Sequence, residues 1–120
     1  MTVNLEQIVF DARDAATLAA FWSALLEQPV DPGASAEFAS VGRTGPLPLP
    51  TPFLFMQVPE KATGKNRVHV DLDSATPEAD VARAMLNGAR RVDDHDEYDT
   101  RWTTLADPEG NVFDIVYRVP

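Results

Sequence analysis

The chain has 120 residues, of which 44% are hydrophobic and 24% are charged, and it contains no cysteine. This composition is typical of a single globular domain, and it excludes disulfides, zinc ribbons and thiol nucleophiles. The formal net charge of −9 disfavours binding to nucleic acid, which attracts cationic surfaces. No apolar run approaches the roughly 18 residues that a membrane span needs, and the N-terminal segment lacks the basic start of a signal peptide. We therefore expect a cytoplasmic protein that binds neither membrane nor nucleic acid.

The first half of the chain is predicted to fold as a strand, a helix and two further strands. Its helix has a single apolar stripe that includes Trp22, which is interpreted as a core residue, and Asp14 is a candidate N-cap. The segment 42–52, GRTGPLPLPTP, contains four prolines and is predicted to be an extended loop, which either covers a pocket or is an inert connection. The predicted elements are a strand over 3–10, a helix over 15–27, and strands over 37–41 and 53–58.

The second half repeats this order and begins with a predicted strand over 67–73, within KNRVHVDLD. Apolar and polar residues alternate there, so His69 is predicted on the polar face of a buried strand. The acidic segment 93–99, DDHDEYD, lacks the glycine and the closing glutamate of a calcium-binding loop and is predicted to be a solvated loop. The other predicted elements are a helix over 76–87 that ends before Gly88, and strands over 89–92, 101–106 and 112–117.

The two halves also align in sequence, as expected for a duplicated module. The first strands align with a shift of 62 residues, which sets Gln7 against His69. The closing strands align with a shift of 57 residues, which sets Gln57 against Asp114. Strand alternation predicts that all four side chains point away from the faces that pack against the helices. Because one half alone would leave a sheet face uncovered, the two halves are expected to pack or pair.

Three short motifs carry a resemblance to a known superfamily. They are GKNRVHVDLD at 64–73, GAR at 88–90 and WTTLADPEGNVFD at 102–114. With these motifs the chain resembles the vicinal oxygen chelate superfamily, which comprises glyoxalase, bleomycin-resistance and dihydroxybiphenyl-dioxygenase-like proteins, and it is most similar to small actinobacterial glyoxalase-like domains. The resemblance implies an α+β fold in which two tandem βαβββ modules form a curled antiparallel sheet around a cup. It also implies a homodimer, and a single domain over 1–120 with modules at about 1–60 and 65–120.

The resemblance further implies where a metal would bind. In metal-using members the ligands come from the first and last strands of each half, which correspond here to Gln7, Gln57, His69 and Asp114. The superfamily prefers histidine or glutamate at these positions, whereas glutamine is a neutral oxygen ligand that binds transition metals weakly. One imidazole and one carboxylate also fall short of the two-histidine, one-carboxylate set of non-haem iron oxygenases. The implied cofactor is a divalent metal, Zn²⁺, Ni²⁺, Mn²⁺ or Fe²⁺, held by a weak ligand set.

His69 and Asp114 are the candidate catalytic residues, either as metal ligands or as a base and a polar anchor. Neutral imidazole binds metals and titrates near neutral pH, although a hydrogen-bonded structural histidine is the alternative. Arg67 is a candidate for binding an anionic group of a substrate, and the alternative is an ion pair with Asp71 or Asp114. Because ligand pockets are mostly apolar and aromatic, the other candidate substrate-binding residues are Trp102, Phe53 and Phe55.

Two functions remain open at this point. The first is a glyoxalase-type lyase or isomerase, in which a metal chelates two neighbouring oxygens of a small oxygenated metabolite. The second is a metal-free protein of the bleomycin-resistance type, which sequesters a cationic compound in an acidic, aromatic-lined cup. The net charge of −9 favours the second function, and the shared face of His69 and Asp114 favours the first. Both predict a small-molecule ligand.

Overall fold

The computed structural model describes residues 2–119, which form two compact units; the first ends at Ala62 and the second begins at Thr63. In each unit one helix packs on one β-sheet, which has three strands in the first unit and four in the second. This arrangement confirms the predicted α+β fold class. The sheets are mixed rather than wholly antiparallel, because the first and last strands of each unit pair in parallel.

The first unit places its last strand in the centre of its sheet. This strand, β3, pairs in parallel with β1 and antiparallel with β2. The helix and the second and third strands agree with the prediction to within about one residue at each end. The elements are β1 (Ile8–Ala12), α1 (Ala15–Leu26), β2 (Phe38–Val41) and β3 (Phe53–Gln57).

β1 begins later than the sequence predicts. The predicted start at residue 3 is wrong, because Val3 and Leu5 are exposed and lie outside the strand. The reason lies in the partner strand, where Pro52 directly precedes β3 and has no N–H to extend the ladder. The carbonyl of Pro52 accepts the N–H of Ile8 at 3.0 Å, and regular pairing begins there.

α1 is capped at its N-terminus and buried along one face. Asp14 Oδ1 accepts a hydrogen bond from the N–H of Thr17 at 3.1 Å, which confirms Asp14 as the N-cap. Trp22 is fully buried, and its ring centre lies 5.5 Å from that of Phe10 and 5.3 Å from that of Phe53. Trp22 is therefore a core residue, as predicted, and aromatic packing joins the helix to β1 and β3.

Residues 42–52 form an irregular loop, as the four prolines predict, and its start is tied to a buried carboxylate. Asp31 accepts hydrogen bonds from the hydroxyl of Thr44 at 2.6 Å and from the backbone N–H of Thr44 at 2.9 Å. The hydroxyl of Ser40 donates to the same carboxylate at 2.7 Å. Asp31 is 6% exposed, so these bonds fix the loop to the interior of the first unit.

The second unit has a four-stranded sheet in the order β4-β7-β6-β5. β4 and β7 are parallel, whereas β7, β6 and β5 are antiparallel neighbours. The final strand has the predicted bounds, and the helix lies within the predicted range. The elements are β4 (Asp71–Ser74), α2 (Pro77–Leu86), β5 (Arg90–Glu97), β6 (Thr100–Ala106) and β7 (Val112–Tyr117).

β4 is shorter than predicted at its N-terminal end. It begins at Asp71, whereas the alternating pattern predicts a strand from Arg67. The side chain of Asn66, rather than strand backbone, takes the hydrogen bonds of Val112 at the start of β7. The ladder therefore starts later, and His69 lies in an irregular segment directly before β4 instead of within a buried strand.

β5 is longer than predicted and includes most of the acidic segment. The predicted solvated loop over 93–99 is wrong, because β5 continues to Glu97 and pairs with β6. Tyr98 and Asp99 have φ angles of 54° and 58°, which form a two-residue hairpin turn whose twist matches that of the strands. Pairing across this hairpin outweighs the low strand propensity of acidic residues.

Glycine ends α2 as predicted, since Gly88 has a φ angle of +112° that side-chain-bearing residues rarely adopt. The predicted turn after β6 is also present, and Asp107 Oδ1 accepts the N–H groups of Glu109 at 2.9 Å and Asn111 at 3.0 Å.

Within residues 2–119, neither helix is long and apolar enough to cross a membrane.

Candidate metal centre

Strand alternation in β7 gives the second sheet a core face and a polar face. Phe113 and Ile115 are buried, and Asp114 between them points to the opposite face. Thr104 is its cross-strand neighbour on β6, and the hydroxyl of Thr104 donates to Asp114 Oδ1 at 2.5 Å. This hydrogen bond fixes the carboxylate and leaves Oδ2 for another partner.

One imidazole and two carboxylates meet on this polar face, from His69, Asp71 and Asp114. His69 Nε2 lies 3.2 Å from Asp114 Oδ2 and 3.4 Å from Asp71 Oδ1. One ligand atom from each residue lies within 4.8 Å of the other two. The side chains of His69 and Asp71 are 45% and 60% exposed, whereas that of Asp114 is 13% exposed. The group is therefore open to solvent on one side, from which a cation can reach all three residues.

The surroundings of Asp71 favour the arrival of positive charge. Partial desolvation of the Asp71 carboxyl raises its pKa above the ordinary value of 3.8, the negative charge of Asp114 raises it further, and His69 offsets only part of this rise. The two carboxylates thus repel each other when both are ionised. A divalent cation between them would remove this repulsion.

The donor atoms also fit a divalent metal. Carboxylate oxygen suits Mn²⁺ and imidazole nitrogen suits iron and zinc, so one imidazole with two carboxylates suits Mn²⁺ or Fe²⁺ in particular. Three protein ligands also leave coordination positions open, as catalytic sites require. The group His69, Asp71 and Asp114 can therefore hold such an ion without a ligand from the first unit.

Hydrogen bonds to β7 hold the segment that carries His69 at both of its ends. On one side, Asn66 Oδ1 accepts the N–H of Val112 at 2.7 Å, and Asn66 Nδ2 donates to the carbonyl of Val112 at 3.0 Å. On the other side, the carbonyl of Val70 accepts the N–H of Asp114 at 3.1 Å. The side-chain amide of Asn66 thus replaces a pair of backbone hydrogen bonds between strands, and it positions the segment that carries His69.

The two glutamines predicted as ligands are engaged within the first unit. Gln7 Oε1 accepts a short hydrogen bond from the guanidinium of Arg43. Gln57 Nε2 donates to the carbonyl of Arg13 at 2.8 Å. On β3, Gln57 shares the face of Phe55, which is fully buried, so the expectation that Gln57 points away from the helix is wrong.

Two of the residues predicted to bind substrate, Phe53 and Phe55, belong to the core. They are 6% and 0% exposed, and their ring centres lie 5.2 Å and 5.1 Å from that of Phe10. Arg67 is exposed, and in the part of the chain that the structure describes no ion pair joins it to either carboxylate of the metal group. The alternative prediction, an ion pair of Arg67 with Asp71 or Asp114, is therefore wrong, and His69 contacts both carboxylates instead.

Trp102 lies on the same face of the second sheet as the metal group. It is two residues from Thr104 on β6, and Thr104 bonds to Asp114. Its ring stacks on that of His95, its partner on β5, with a centre distance of 4.9 Å and an angle of 19°. Two of the three predicted aromatic lining residues are thus buried in the core, whereas Trp102 is half-buried on the face of the metal group.

Comparison with known proteins agrees with this architecture. The family model described as a glyoxalase-like domain matches residues 7–116, nearly the whole chain. The chain belongs to this family. The predicted resemblance to the glyoxalase, bleomycin-resistance and dioxygenase superfamily is thereby confirmed. No curated protein matches the sequence.

Solved structures share the fold of this glyoxalase-like domain at low sequence identity. A glyoxalase/bleomycin resistance protein/dioxygenase family enzyme from Burkholderia phytofirmans PsJN is 20% identical, over 96% of this chain and 98% of that one, with a TM-score of 0.76. A glyoxalase/bleomycin resistance protein from Albidiferax ferrireducens T118 is 22% identical, over 94% and 97%, with a TM-score of 0.67. The E126Q mutant of the fosfomycin resistance protein FosX from Listeria monocytogenes, complexed with Mn(II) and 1S,2S-dihydroxypropylphosphonic acid, is 12% identical, over 97% and 90%, with a TM-score of 0.75.

Sequence reasoning about this glyoxalase-like domain missed three residues of the site: Asp71, Thr104 and Asn66. Asp71 carried a usable signal, because it lies two residues after His69 and alternation sets such residues on one face. Thr104 becomes recognisable only when the register of β6 against β7 is known. Asn66 gives no sequence signal, since its role depends on where β4 stops pairing.

Proposed function

We propose that this glyoxalase-like domain is a metal-dependent enzyme of the lyase or isomerase type, acting on a small oxygenated metabolite. The observation that carries the proposal is the approach of His69 Nε2 to carboxylate oxygens of both Asp114 and Asp71, at 3.2 Å and 3.4 Å. Membership of the glyoxalase-like family supports it. The Mn(II) and the small dihydroxy phosphonate present in the FosX complex support it by likeness of fold.

The residues of the metal group have distinct tasks in this proposal. A divalent metal held by His69, Asp71 and Asp114 would act as a Lewis acid toward two neighbouring oxygens of the substrate. Thr104 fixes Asp114 through its hydroxyl, so that carboxylate needs little reorganisation when it binds a cation. Arg67, exposed two residues before His69, would bind an anionic group of the substrate. The amides of the predicted ligands Gln7 and Gln57 are engaged elsewhere, and neither is needed as a ligand.

Metal titration tests the ligand assignment directly. Protein dialysed against chelator is titrated with Mn²⁺, Fe²⁺, Zn²⁺ and Ni²⁺ by calorimetry, and Mn²⁺ binding is followed by electron paramagnetic resonance. His69→Gln, Asp71→Asn and Asp114→Asn should each weaken binding by about 100-fold or more, since each removes one of three ligands. Asp73→Asn is the matched control, because Asp73 lies on β4 and pairs with Arg118 at 3.2 Å. If the three variants bind Mn²⁺ as tightly as the parent, the metal centre is not there.

Turnover tests the enzyme assignment. The metal-loaded protein is incubated with 2-hydroxy carbonyl compounds, thiohemiacetals of 2-oxoaldehydes and vicinal epoxides or diols, and proton NMR follows their conversion. We expect conversion of at least one class, lost after chelation and restored by metal. The Asp71→Asn variant should be inactive at metal concentrations that saturate the parent. Tight metal binding without conversion in any class would argue against an enzyme of this type.

A metal-free binding function is the second candidate, and one observation favours it. The net charge of −9 and the two carboxylates of the metal group would also attract an ammonium or guanidinium group. Calorimetry with bleomycin, a basic glycopeptide, in the presence of chelator distinguishes the two functions. Saturable heat that disappears in Asp114→Asn would support sequestration, and no heat would count against it.

Two expectations concern the assembly and its location. The family resemblance implies a homodimer and the sequence predicts a cytoplasmic protein, and both remain predictions. Sedimentation velocity at several protein concentrations measures the first. A monomer at every concentration, including the highest, would contradict the dimer.

A further inference from the structure

The second unit has a pocket whose lining lies mostly on the opposite face of its sheet from the metal group, and His95 and Trp102 of the metal group's face also contribute to it. The pocket has a volume of about 370 Å³ and lies between the first turn of α2 and the strands β5, β6 and β7. Ile115 belongs to its lining, and Ile115 is on the core face of β7, whereas Asp114 is on the polar face. Small-molecule sites start at about 300 Å³, so the pocket is large enough for a small metabolite.

Two opposite charges at this pocket face each other without forming an ion pair. Asp96 on β5 and Arg101 on β6 are directly paired across the hairpin, and both line the pocket. Among residues 2–119 no ion pair joins them. The guanidinium of Arg101 instead lies 4.6 Å from the ring centre of Tyr117, over its face. A carboxylate and a guanidinium from cross-strand neighbours therefore both line the pocket, each with capacity to bind a ligand.

The other charged side chains of the lining are an ion pair, Arg91 with Asp94, and one further carboxylate, Glu78. Arg91 Nη2 lies 2.8 Å from Asp94 Oδ1, which also accepts the hydroxyl of Thr103 at 2.7 Å, so Arg91 and Asp94 neutralise each other. Glu78, on the first turn of α2, adds a further negative charge to the lining, and its carboxylate lies 3.9 Å from the guanidinium of Arg91. A simple anion would meet net negative charge here, and a simple cation would meet the guanidinium that covers Tyr117.

We infer that this pocket binds a small zwitterion of the α-amino-acid type, whose ammonium group contacts Asp96 and whose carboxylate contacts Arg101. Cross-strand neighbours have Cβ atoms about 5 Å apart, so the side chains of Asp96 and Arg101 can reach the same small ligand. The planar guanidinium offers two parallel donors to a carboxylate. Tyr117 and Ile115 contribute aromatic and aliphatic atoms to the lining around these two charges. This site needs no metal and is independent of the proposed function.

The zwitterion requirement is tested with one carbon skeleton in three charge states. L-Phenylalanine carries both charges, phenethylamine carries only the ammonium group and 3-phenylpropionate carries only the carboxylate. Each is titrated into ¹⁵N-labelled protein in the presence of chelator, with amide shifts of β5 and β6 as the readout. L-Phenylalanine should bind saturably with a Kd of about 1 mM or below, and each half-ligand should bind at least about tenfold more weakly. No saturable shift with L-phenylalanine, or equal binding of a half-ligand, would overturn the inference.

Charge-neutral variants test the two contacts. Asp96→Asn and Arg101→Gln should each weaken L-phenylalanine binding about tenfold or more. The matched controls are Asp99→Asn in the hairpin turn and Arg90→Gln at the start of β5, neither of which lines the pocket. Thermal unfolding shows whether each variant is folded. If a folded Asp96→Asn or Arg101→Gln variant binds as tightly as its control, the site assignment is wrong.

Discussion

Replacing Asp31 by Asn should loosen the start of the proline-rich loop and destabilise the first unit. The Asp31 carboxylate accepts hydrogen bonds from the hydroxyls of Ser40 and Thr44 and from the backbone N–H groups of Arg43 and Thr44. All four of these groups donate to the carboxylate, whereas the Asn side chain has one acceptor oxygen and two donor hydrogens. The substitution keeps the shape of the side chain, so it isolates the hydrogen bonds and the charge.

The expected loss of stability follows from those bonds. Asn retains the bonds to one oxygen and turns an NH₂ group toward the donors of the other, so about half of the accepted bonds are lost. A hydrogen bond to a charged group contributes about 1.5–3 kcal/mol. About two such bonds are lost, and local relaxation and new bonds to water restore part of their free energy. We expect the free energy of unfolding to fall by about 2–4 kcal/mol.

The loss of unfolding free energy in Asp31→Asn should be larger at neutral pH than in acid. Burial alone would raise the pKa of Asp31, but hydrogen bonds from Thr44, Ser40 and the backbone of Arg43 outweigh it and set the pKa below the ordinary 3.8. A carboxyl whose pKa is lowered by folding stabilises the protein above its unfolded pKa, and this stabilisation is lost as the pH falls through the folded pKa. Asn does not titrate, so the difference between parent and variant should be full at neutral pH and shrink below about pH 4.

Urea unfolding of parent and variant, followed by circular dichroism and tryptophan fluorescence across this pH range, measures the effect. Asp11→Asn is the matched control, because Asp11 is exposed on β1 and should change stability by less than about 0.5 kcal/mol. Hydrogen exchange at the amides of Arg43 and Thr44 should accelerate in Asp31→Asn. A loss no larger than that of the control, or the same loss at neutral pH and at about pH 3, would refute the reasoning.

Three further substitutions test the packing and the metal centre. Trp22→Ala should lower the free energy of unfolding by about 3–5 kcal/mol in urea titrations, because the ring is fully buried between α1 and the sheet. Gly88→Ala should lower the free energy of unfolding by about 1–3 kcal/mol, because φ is +112° and a Cβ would lie 3.2 Å from Pro108 Cγ. A variant as stable as the parent would show that the backbone at this position tolerates a side chain. Asn66→Ala should cost about 1–3 kcal/mol and weaken Mn²⁺ binding about tenfold in calorimetry, because Asn66 positions the segment of His69; unchanged Mn²⁺ affinity would separate it from the metal centre.

Features encoded locally in the sequence could be predicted, and those set by a partner strand could not. α1 was predictable from the Asp14 cap and an apolar stripe that includes Trp22. The starts of β1 and β4 depend on contacts with distant parts of the chain, those of Ile8 with Pro52 and of Asn66 with Val112. The acidic part of β5 follows the same rule, since a polar sequence becomes a strand when the hairpin turn sets it against β6.

In the metal group, too, the residues near one another in sequence could be predicted, and the contact between the two strands could not. Family motifs and alternation predicted His69 and Asp114, and the parallel pairing of β4 with β7 sets Asp71 opposite Asp114. That pairing brings a second carboxylate beside the imidazole. The sequence alone could place Asp71 on the face of His69, but the distance between the two carboxylates requires the register of two strands 43 positions apart.

The predicted face of the Gln57 side chain is wrong, because the shift of 57 residues that aligned Gln57 with Asp114 does not match the faces of the two strands. Core residues Phe55 and Ile115 differ by 60 positions, an even number, whereas the shift of 57 is odd and exchanges the faces of a strand. On β3 the residues that share the alternate face are Leu54 and Met56. Neither is a strong metal ligand, so the duplicated strand has no counterpart of Asp114 there. Duplication of the module therefore did not duplicate the metal group, and the three ligands of the proposed site all come from the second half.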